Sequence, residues 1–161
     1  MLSDENNARI AVDRFYHTVY SFHRPGLPDA TELARLAPLV SERLGRRLRE
    51  ASAYQARARR EHPDQKPPLI DEDLFSSLLE GPRRFDVGTA QAKGNHLVVP
   101  VSFEAPGDTK EGLFRWNDDV IVVKESATRF LVDDVQFRGT WDFANRGTLS
   151  ELLRSAVSED D

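Results

Sequence analysis

The most constraining feature of this sequence is a change in hydrophobic period shortly after residue 80. Before that point, apolar side chains recur every three or four residues, which is the spacing of one face of an α-helix. Between residues 84 and 138 they alternate with polar side chains, which is the spacing of a β-strand with one buried face. Helices collected in one part of a chain and strands in the next indicate an α+β fold.

The helical part predicts four helices, each with a start or stop signal at its ends. Ser3 can cap the first, Pro38 breaks or kinks the second, and Ser41 can begin the third. Asp71-Glu-Asp73 favours the start of a short fourth helix, which Gly81-Pro82 would end. The predicted helices cover about 3–24, 31–40, 41–60 and 69–79.

The second part predicts four antiparallel strands in a meander, over about 84–92, 96–105, 113–125 and 130–137. Pro100 falls inside the second strand, so it must occupy an edge, a bulge or a position where no ladder donor is needed. We therefore expect one domain over 1–161: a helical part at about 3–80 packed on a four-stranded sheet at about 84–138, a C-terminal helix at about 148–157 and an acidic tail at 158–161.

Composition excludes several classes of function. The chain has 161 residues, a net charge of −5 and no Cys, so it has no disulfide, thiolate metal site or cysteine nucleophile. No apolar stretch reaches the roughly 20 residues of a membrane-spanning helix. Seven arginines between Arg43 and Arg60 form one basic surface. It can be a contact face for phosphate or an acidic partner, but a solvated helix face is favoured, and we expect no nucleic-acid partner.

Two pairs of adjacent carboxylates interrupt apolar strands: Asp118 with Asp119, and Asp133 with Asp134. If the third and fourth strands pair, one Asp from each pair could share a site for acid/base chemistry. The alternative, which we favour, is that these carboxylates accept structural hydrogen bonds or protect a sheet edge. The four histidines have no compact ligand spacing and no glycine loop could cradle phosphate, so we expect no catalytic residue, metal or cofactor.

Two loops carry the candidate partner-binding residues. Trp141, Asp142 and Phe143 lie between Gly139 and Gly147, and the loop 106–112 adds Asp108 and Glu111. An aromatic pair on an exposed loop can anchor an interface. The favoured alternative is that Trp141 and Phe143 fold back to cover the core.

Four segments together resemble the YbjP/YqhG-type domain of uncharacterised bacterial envelope proteins and lipoproteins. They are Phe15-Tyr16 with Val19-Tyr20, then Leu69–Phe75, Trp116–Val120 and Val132–Val135, and the similarity covers most of 9–155. The resemblance implies a cystatin-like or nuclear transport factor 2-like cone. It also implies export to the periplasm, with the signal peptide already removed from this chain, or attachment by a lipid anchor.

These observations favour a non-catalytic periplasmic protein-binding module. We expect an immunity protein that binds and inhibits a secreted cell-wall-degrading toxin of the peptidoglycan-amidase type, as in type VI secretion. Two alternatives stay open: an envelope protein that binds a small ligand on the concave face of the cone, and an enzyme that uses Asp118 or Asp133 as a base. A homodimer through the open sheet face or the first helix is compatible with each.

Overall fold

A computed structural model of the protein describes residues 2–107 and 112–157. Its helices are α1 (Asp4–Ser21), α2 (Ala30–Leu36), α3 (Glu42–Glu61) and α4 (Leu149–Val157), with a short 3-10 turn at Ala37–Leu39. Its strands are β1 (Arg84–Val87), β2 (Gln91–Lys93), β3 (His96–Pro106), β4 (Leu113–Lys124) and β5 (Phe130–Gln136). The predicted α+β fold, with helices packed on an antiparallel sheet, is confirmed.

The helix ends follow the local signals in the sequence. Ser3 caps α1 by accepting a hydrogen bond from the amide of Asn6 at 3.1 Å. Asp29 and Glu32 form a reciprocal capping box at the start of α2. Pro38 ends that helix in the 3-10 turn, so the predicted second helix is shorter than expected. None of the helices in the described ranges has the length and apolar character needed to cross a membrane.

The sheet has the order β1-β3-β4-β5, and β2 also pairs with β3. The predicted first strand is divided in two, because β1 ends opposite Val101 and β2 begins opposite Val98. Pro100 lies opposite this gap, where the ladder is interrupted and its missing N–H is tolerated. The amide of Gly88 donates to the Pro100 carbonyl at 2.8 Å across the gap.

The helices cover one face of the sheet, and the core between them is filled. The sheet contributes fully buried side chains that meet equally buried side chains of α1 and α3: Val99, Val101, Phe103, Val120, Val122, Phe15, Tyr16, Leu44 and Leu48. On β3 and β4 the other sheet face carries half-buried or exposed residues, such as Val98, Pro100 and Ile121. The helix-covered face of the sheet is therefore filled by side chains.

The predicted helix over 69–79 is wrong. Leu69 has a left-handed φ of 58°, and the segment after it is an irregular loop. All five residues from Asp73 to Ser77 are buried, whereas a surface helix buries one face only. The Asp73 side chain accepts a hydrogen bond from the amide of Phe75, and the Asp73 amide donates to the Leu79 carbonyl. These bonds replace helical ones, since Asp side chains compete for nearby backbone groups.

Candidate functional site

The two carboxylate pairs do not converge on one site. The pairing of β4 with β5 contains a bulge, in which Val122 lies opposite Val132 and Ile121 lies opposite Asp134. Asp133 is the extra residue of the bulge, so it has no partner across the ladder. Neither Asp133 nor Asp134 shares a hydrogen-bond partner with Asp118 or Asp119.

Asp133 and Asp134 instead hold the first turns of two helices against the sheet. Asp133 accepts a hydrogen bond at 2.7 Å from the hydroxyl of Ser41, the N-cap of α3. Asp134 accepts one at 3.0 Å from the amide of Ser150, in the first turn of α4. The Arg43 guanidinium bridges both carboxylates at 3.2 and 3.3 Å. The structural alternative for this pair is therefore the one observed.

Ser41 links the helix cap to the sheet, and its removal tests that link. We expect Ser41→Ala to lower the free energy of unfolding by about 1–2 kcal/mol, because both the cap to Leu44 and the bond to Asp133 are lost. Ser3→Ala is the matched control: Ser3 caps α1 but is exposed, so a smaller loss of about 0.5–1 kcal/mol is expected. Urea denaturation measures both, and equal losses would show that the bond to Asp133 contributes nothing.

Asp118 is fully buried and anchors two loops to β4. Its carboxylate accepts hydrogen bonds from four donors: the amide and hydroxyl of Ser77, the indole N–H of Trp116 and the amide of Arg138. The next residue, Asp119, points to the opposite sheet face and pairs with the Arg138 side chain at 3.0 Å. Asp118 is thus a buried acceptor whose hydrogen bonds come from the fold itself.

Asn145 completes the connection between the two loops. Its side-chain amide donates to the carbonyls of Asp73 and Ser76 at 3.0 and 2.8 Å, and its backbone amide donates to the Ser77 carbonyl at 2.9 Å. The hydroxyl of Ser77 also accepts from the amide of Gly139 at 3.0 Å. We call segments 69–81 and 138–147, joined by these bonds, the locked loop pair. All the bonds involve buried groups, so they hold the two segments firmly.

The structure separates the two predicted aromatic anchors. Trp141 folds back onto the sheet, with ring centroids 4.7 Å from Phe114 and 5.6 Å from Trp116. Phe143 does not: its exposed fraction is 87%, the highest among the exposed large apolar side chains of the described ranges. The fold-back alternative therefore holds for Trp141 and is wrong for Phe143.

The loop that presents Phe143 is fixed by bonds on both sides. The Arg146 guanidinium donates to the carbonyls of Gly139 and Trp141 at 3.0 and 2.8 Å. Phe143 itself has a left-handed φ of 69°, which is uncommon for a bulky side chain. Asp142 is exposed beside it. The other two predicted partner-binding residues, Asp108 and Glu111, lie outside the described residues.

Asp73 is another buried carboxylate, and sequence analysis assigned it to a helix start. Its exposed fraction is 8%, and it accepts hydrogen bonds from the Tyr20 hydroxyl at 2.9 Å and from the Ser76 hydroxyl and Phe75 amide at 3.0 Å. Burial raises the pKa of Asp73 from its ordinary value of 3.8 to about 6, although these donors favour the charged form. Burial also raises the pKa of Tyr20 and of Tyr16, and the latter's hydroxyl donates to the Phe75 carbonyl.

A pocket of about 530 Å³ opens beside Asp73, at the C-terminal end of α1. Sequence analysis missed it. One signal was present: Tyr16 and Tyr20 lie four residues apart on the buried face of α1, and buried tyrosines need polar partners for their hydroxyls. The partner of Tyr20 is Asp73, which lies 53 residues further along the chain, so no local pattern could identify it.

Four of the seven arginines of the basic surface on α3 pair with carboxylates, among them Arg43 with Asp133 and Asp134. Arg46 and Arg49 pair with Glu42, and Arg47 pairs with Glu50. Arg57, Arg59 and Arg60 have no ion pair among the described residues, and the solvated helix face favoured from the sequence stays a prediction. Within the described ranges, no three His, Asp or Glu side chains are grouped so that they could hold a metal ion.

Comparison with models of protein families, with curated proteins and with solved structures finds no match to this chain. The resemblance to the YbjP/YqhG-type domain thus rests on the four quoted segments alone and stays a prediction.

Proposed function

We propose that the protein is a non-catalytic binding module that anchors a protein partner through Phe143. The observation that carries this proposal is a largely exposed aromatic side chain on a restrained backbone. Phe143 is 87% exposed and held at a φ of 69° in a loop fixed at both ends. The fold gains no packing from this ring, while the left-handed conformation has a cost on the order of 1–3 kcal/mol.

Such an arrangement suits an interface anchor. Aromatic side chains in the centre of an interface contribute a large share of the binding free energy. A loop that is already ordered loses little conformational entropy on binding, so more of the contact energy appears as affinity. Trp141 supports the loop from beneath through its contacts with Phe114 and Trp116.

We propose further that the partner is a secreted cell-wall hydrolase of the amidase type, and that this chain is its periplasmic immunity protein. The resemblance to an envelope domain supports the compartment. The exposed residue Asp142, which precedes Phe143 in the loop, supports insertion into a cleft with basic residues. A rigid loop that carries one aromatic and one acidic side chain can occlude an active site without any chemistry of its own.

The test begins with immobilised wild-type protein passed over periplasmic extract of its source at moderate salt, followed by identification of retained proteins. We expect a cell-wall hydrolase, whose affinity falls at least about 30-fold with Phe143→Ala, the loss typical of an interface hot spot of about 2 kcal/mol. Leu113→Ala is the control, since Leu113 is also an exposed large apolar residue, at 51%. A hydrolase that binds wild type and Phe143→Ala equally well would contradict the anchor.

Phe143→Gly separates a binding role from a folding role. Glycine adopts left-handed conformations without penalty, so this variant should raise the free energy of unfolding by up to about 1 kcal/mol. The same variant removes the ring and should lose partner binding to the extent that Phe143→Ala does. Thermal denaturation and the binding assay are run on the same preparation. A loss of stability would show that the ring supports the fold.

A further inference from the structure

The pocket beside Asp73 has walls built from two strained loops. The loop 22–28 and the segment 69–83 are clamped by hydrogen bonds from the amides of Gly26 and Leu27 to the carbonyls of Glu72 and Leu69, at 2.9 and 3.2 Å. Left-handed φ angles occur at His23 (52°) and Leu69 (58°), two of the three non-glycine positions with such angles in the described ranges. A strained backbone conformation of this kind persists only where the surrounding structure holds the residue in place, and such residues are often found at ligand sites.

The lining of the pocket combines apolar and aromatic side chains with one buried carboxylate. The apolar wall is made of Val19, Tyr20, Phe22, Pro28, Phe75 and Pro82. A volume of about 530 Å³ lies within the range of small-molecule sites. Tyr20 and Asp73 supply the polar groups closest to the core.

Asp73 has no counter-cation in the described part of the chain. Its three hydrogen-bond donors, from Tyr20, Ser76 and Phe75, are all neutral, and no Lys, Arg or His pairs with it. Its pKa of about 6 leaves the carboxylate ionised at neutral pH. Buried charges in proteins are normally paired, so this one lacks the partner that burial calls for.

The remaining charges of the pocket do not favour an anion. Arg24 is occupied by Glu32 and Asp29, and Asp71 by Lys66. The other charged residues that line the pocket are Asp73, Glu80 and Arg83, and His23 lines it as well. The pocket therefore has a net negative charge, with aromatic surfaces that also attract cations.

We propose that this pocket binds an organic cation, an amine with an apolar substituent. The ammonium group meets the Asp73 carboxylate and the Tyr20 hydroxyl oxygen, and the substituent lies against Phe22 and Phe75. The site is separate from Phe143, and this inference does not rest on the proposed protein-binding function.

The probe is phenethylamine at pH 7.5, titrated into the full chain and followed by amide shifts in NMR and by calorimetry. Its controls are 3-phenylpropionate and 2-phenylethanol, which keep the apolar part and replace the ammonium by a carboxylate or a hydroxyl. We expect saturable shifts at the amides of Gly26 and Gly81, which line the pocket. The two controls should bind at least about tenfold more weakly, the difference that one charge-assisted contact supplies.

Asp73→Asn should weaken phenethylamine binding at least about tenfold, while Glu125→Gln, an exposed carboxylate at the β4–β5 turn, should leave it unchanged. If Asp73→Asn does not fold, Tyr20→Phe keeps the ring and removes the hydroxyl, and it should weaken binding measurably. Phe143→Ala must bind the amine like wild type, which separates this inference from the protein-binding proposal. No saturable shift at millimolar probe, shifts at other amides, or equal binding of 3-phenylpropionate would each overturn it.

Discussion

Asp118→Ala is expected to lower the free energy of unfolding by about 4 kcal/mol. The substitution leaves four donors without an acceptor, from Ser77, Trp116 and Arg138, in a region where Asp118 is fully buried. Each stranded donor costs about 1–3 kcal/mol, and partial relaxation makes the sum smaller than four full penalties. Urea denaturation followed by circular dichroism at pH 7 measures the loss.

The neighbouring residue provides a matched control. Asp119 is on the same strand, but its single ion pair with Arg138 is partly open to solvent, so Asp119→Ala should cost about 1 kcal/mol or less. In Asp118→Ala, the amides of Ser77 and Gly139 should also lose protection from hydrogen exchange, because the locked loop pair is released. A loss from Asp118→Ala no larger than that from Asp119→Ala would mean that water replaces the carboxylate at little cost.

Regular elements of this fold could be predicted because their signals are local. The third helix was expected over 41–60 and is observed at Glu42–Glu61, with Ser41 as its cap. The strands with long alternating patterns, β3, β4 and β5, are also observed close to their predicted limits. In each case the side chains that face the core repeat with the period of the element itself.

Segment 69–79 shows where local signals fail. Acidic residues near its start, apolar residues in the middle and a glycine at its end are all typical of a short helix. The conformation is instead decided by contacts with distant residues: Tyr20 on α1, Asn145 in the loop 138–147 and Asp118 on β4. Hydrogen bonds over separations of 41 to 72 residues leave no periodic trace in the sequence.

Local sequence patterns could not distinguish the roles of the candidate site residues, because those roles depend on tertiary contacts. Trp141 and Phe143 lie in the same short loop between two glycines, yet only Trp141 reaches an aromatic partner on β4. The bulge at Asp133 likewise could not be anticipated. Because of this bulge, the adjacent carboxylates of Asp133 and Asp134 bind the first turns of two different helices. The segment between Gly139 and Gly147 is a loop, as predicted, while the position of each of its side chains depends on the tertiary structure.

Asp73 should make the stability of the wild-type protein fall as the pH rises from about 4 to 6. Below the ordinary pKa of 3.8 the carboxyl is protonated in both the native and unfolded states. Between that value and about 6 the unfolded chain releases its proton first, because burial raises the native pKa. The native state then binds more protons than the unfolded state, so the free energy of unfolding decreases, by about 3 kcal/mol in total.

The measurable quantity is the difference in unfolding free energy between wild type and Asp73→Asn, followed by urea denaturation from pH 4 to pH 7.5. The asparagine side chain of the variant cannot ionise, so the advantage of wild type over the variant should shrink by about 2.5 kcal/mol across this range, whatever its value at pH 4. Asp142→Asn shows the effect of removing an exposed carboxylate.

A difference that stays constant would mean that the three neutral donors offset in full the effect of burial on the Asp73 pKa. The donors would then compensate the charge of Asp73, and the reason for proposing an amine partner would be lost. A difference that grows with pH would mean that these donors outweigh burial, with the native pKa below 3.8. Repeating the series with saturating phenethylamine links the two properties: a cation at Asp73 lowers its native pKa, so the decline in wild-type stability should become smaller. That change has no counterpart in Asp73→Asn, because the variant has no carboxylate for the ammonium group to stabilise.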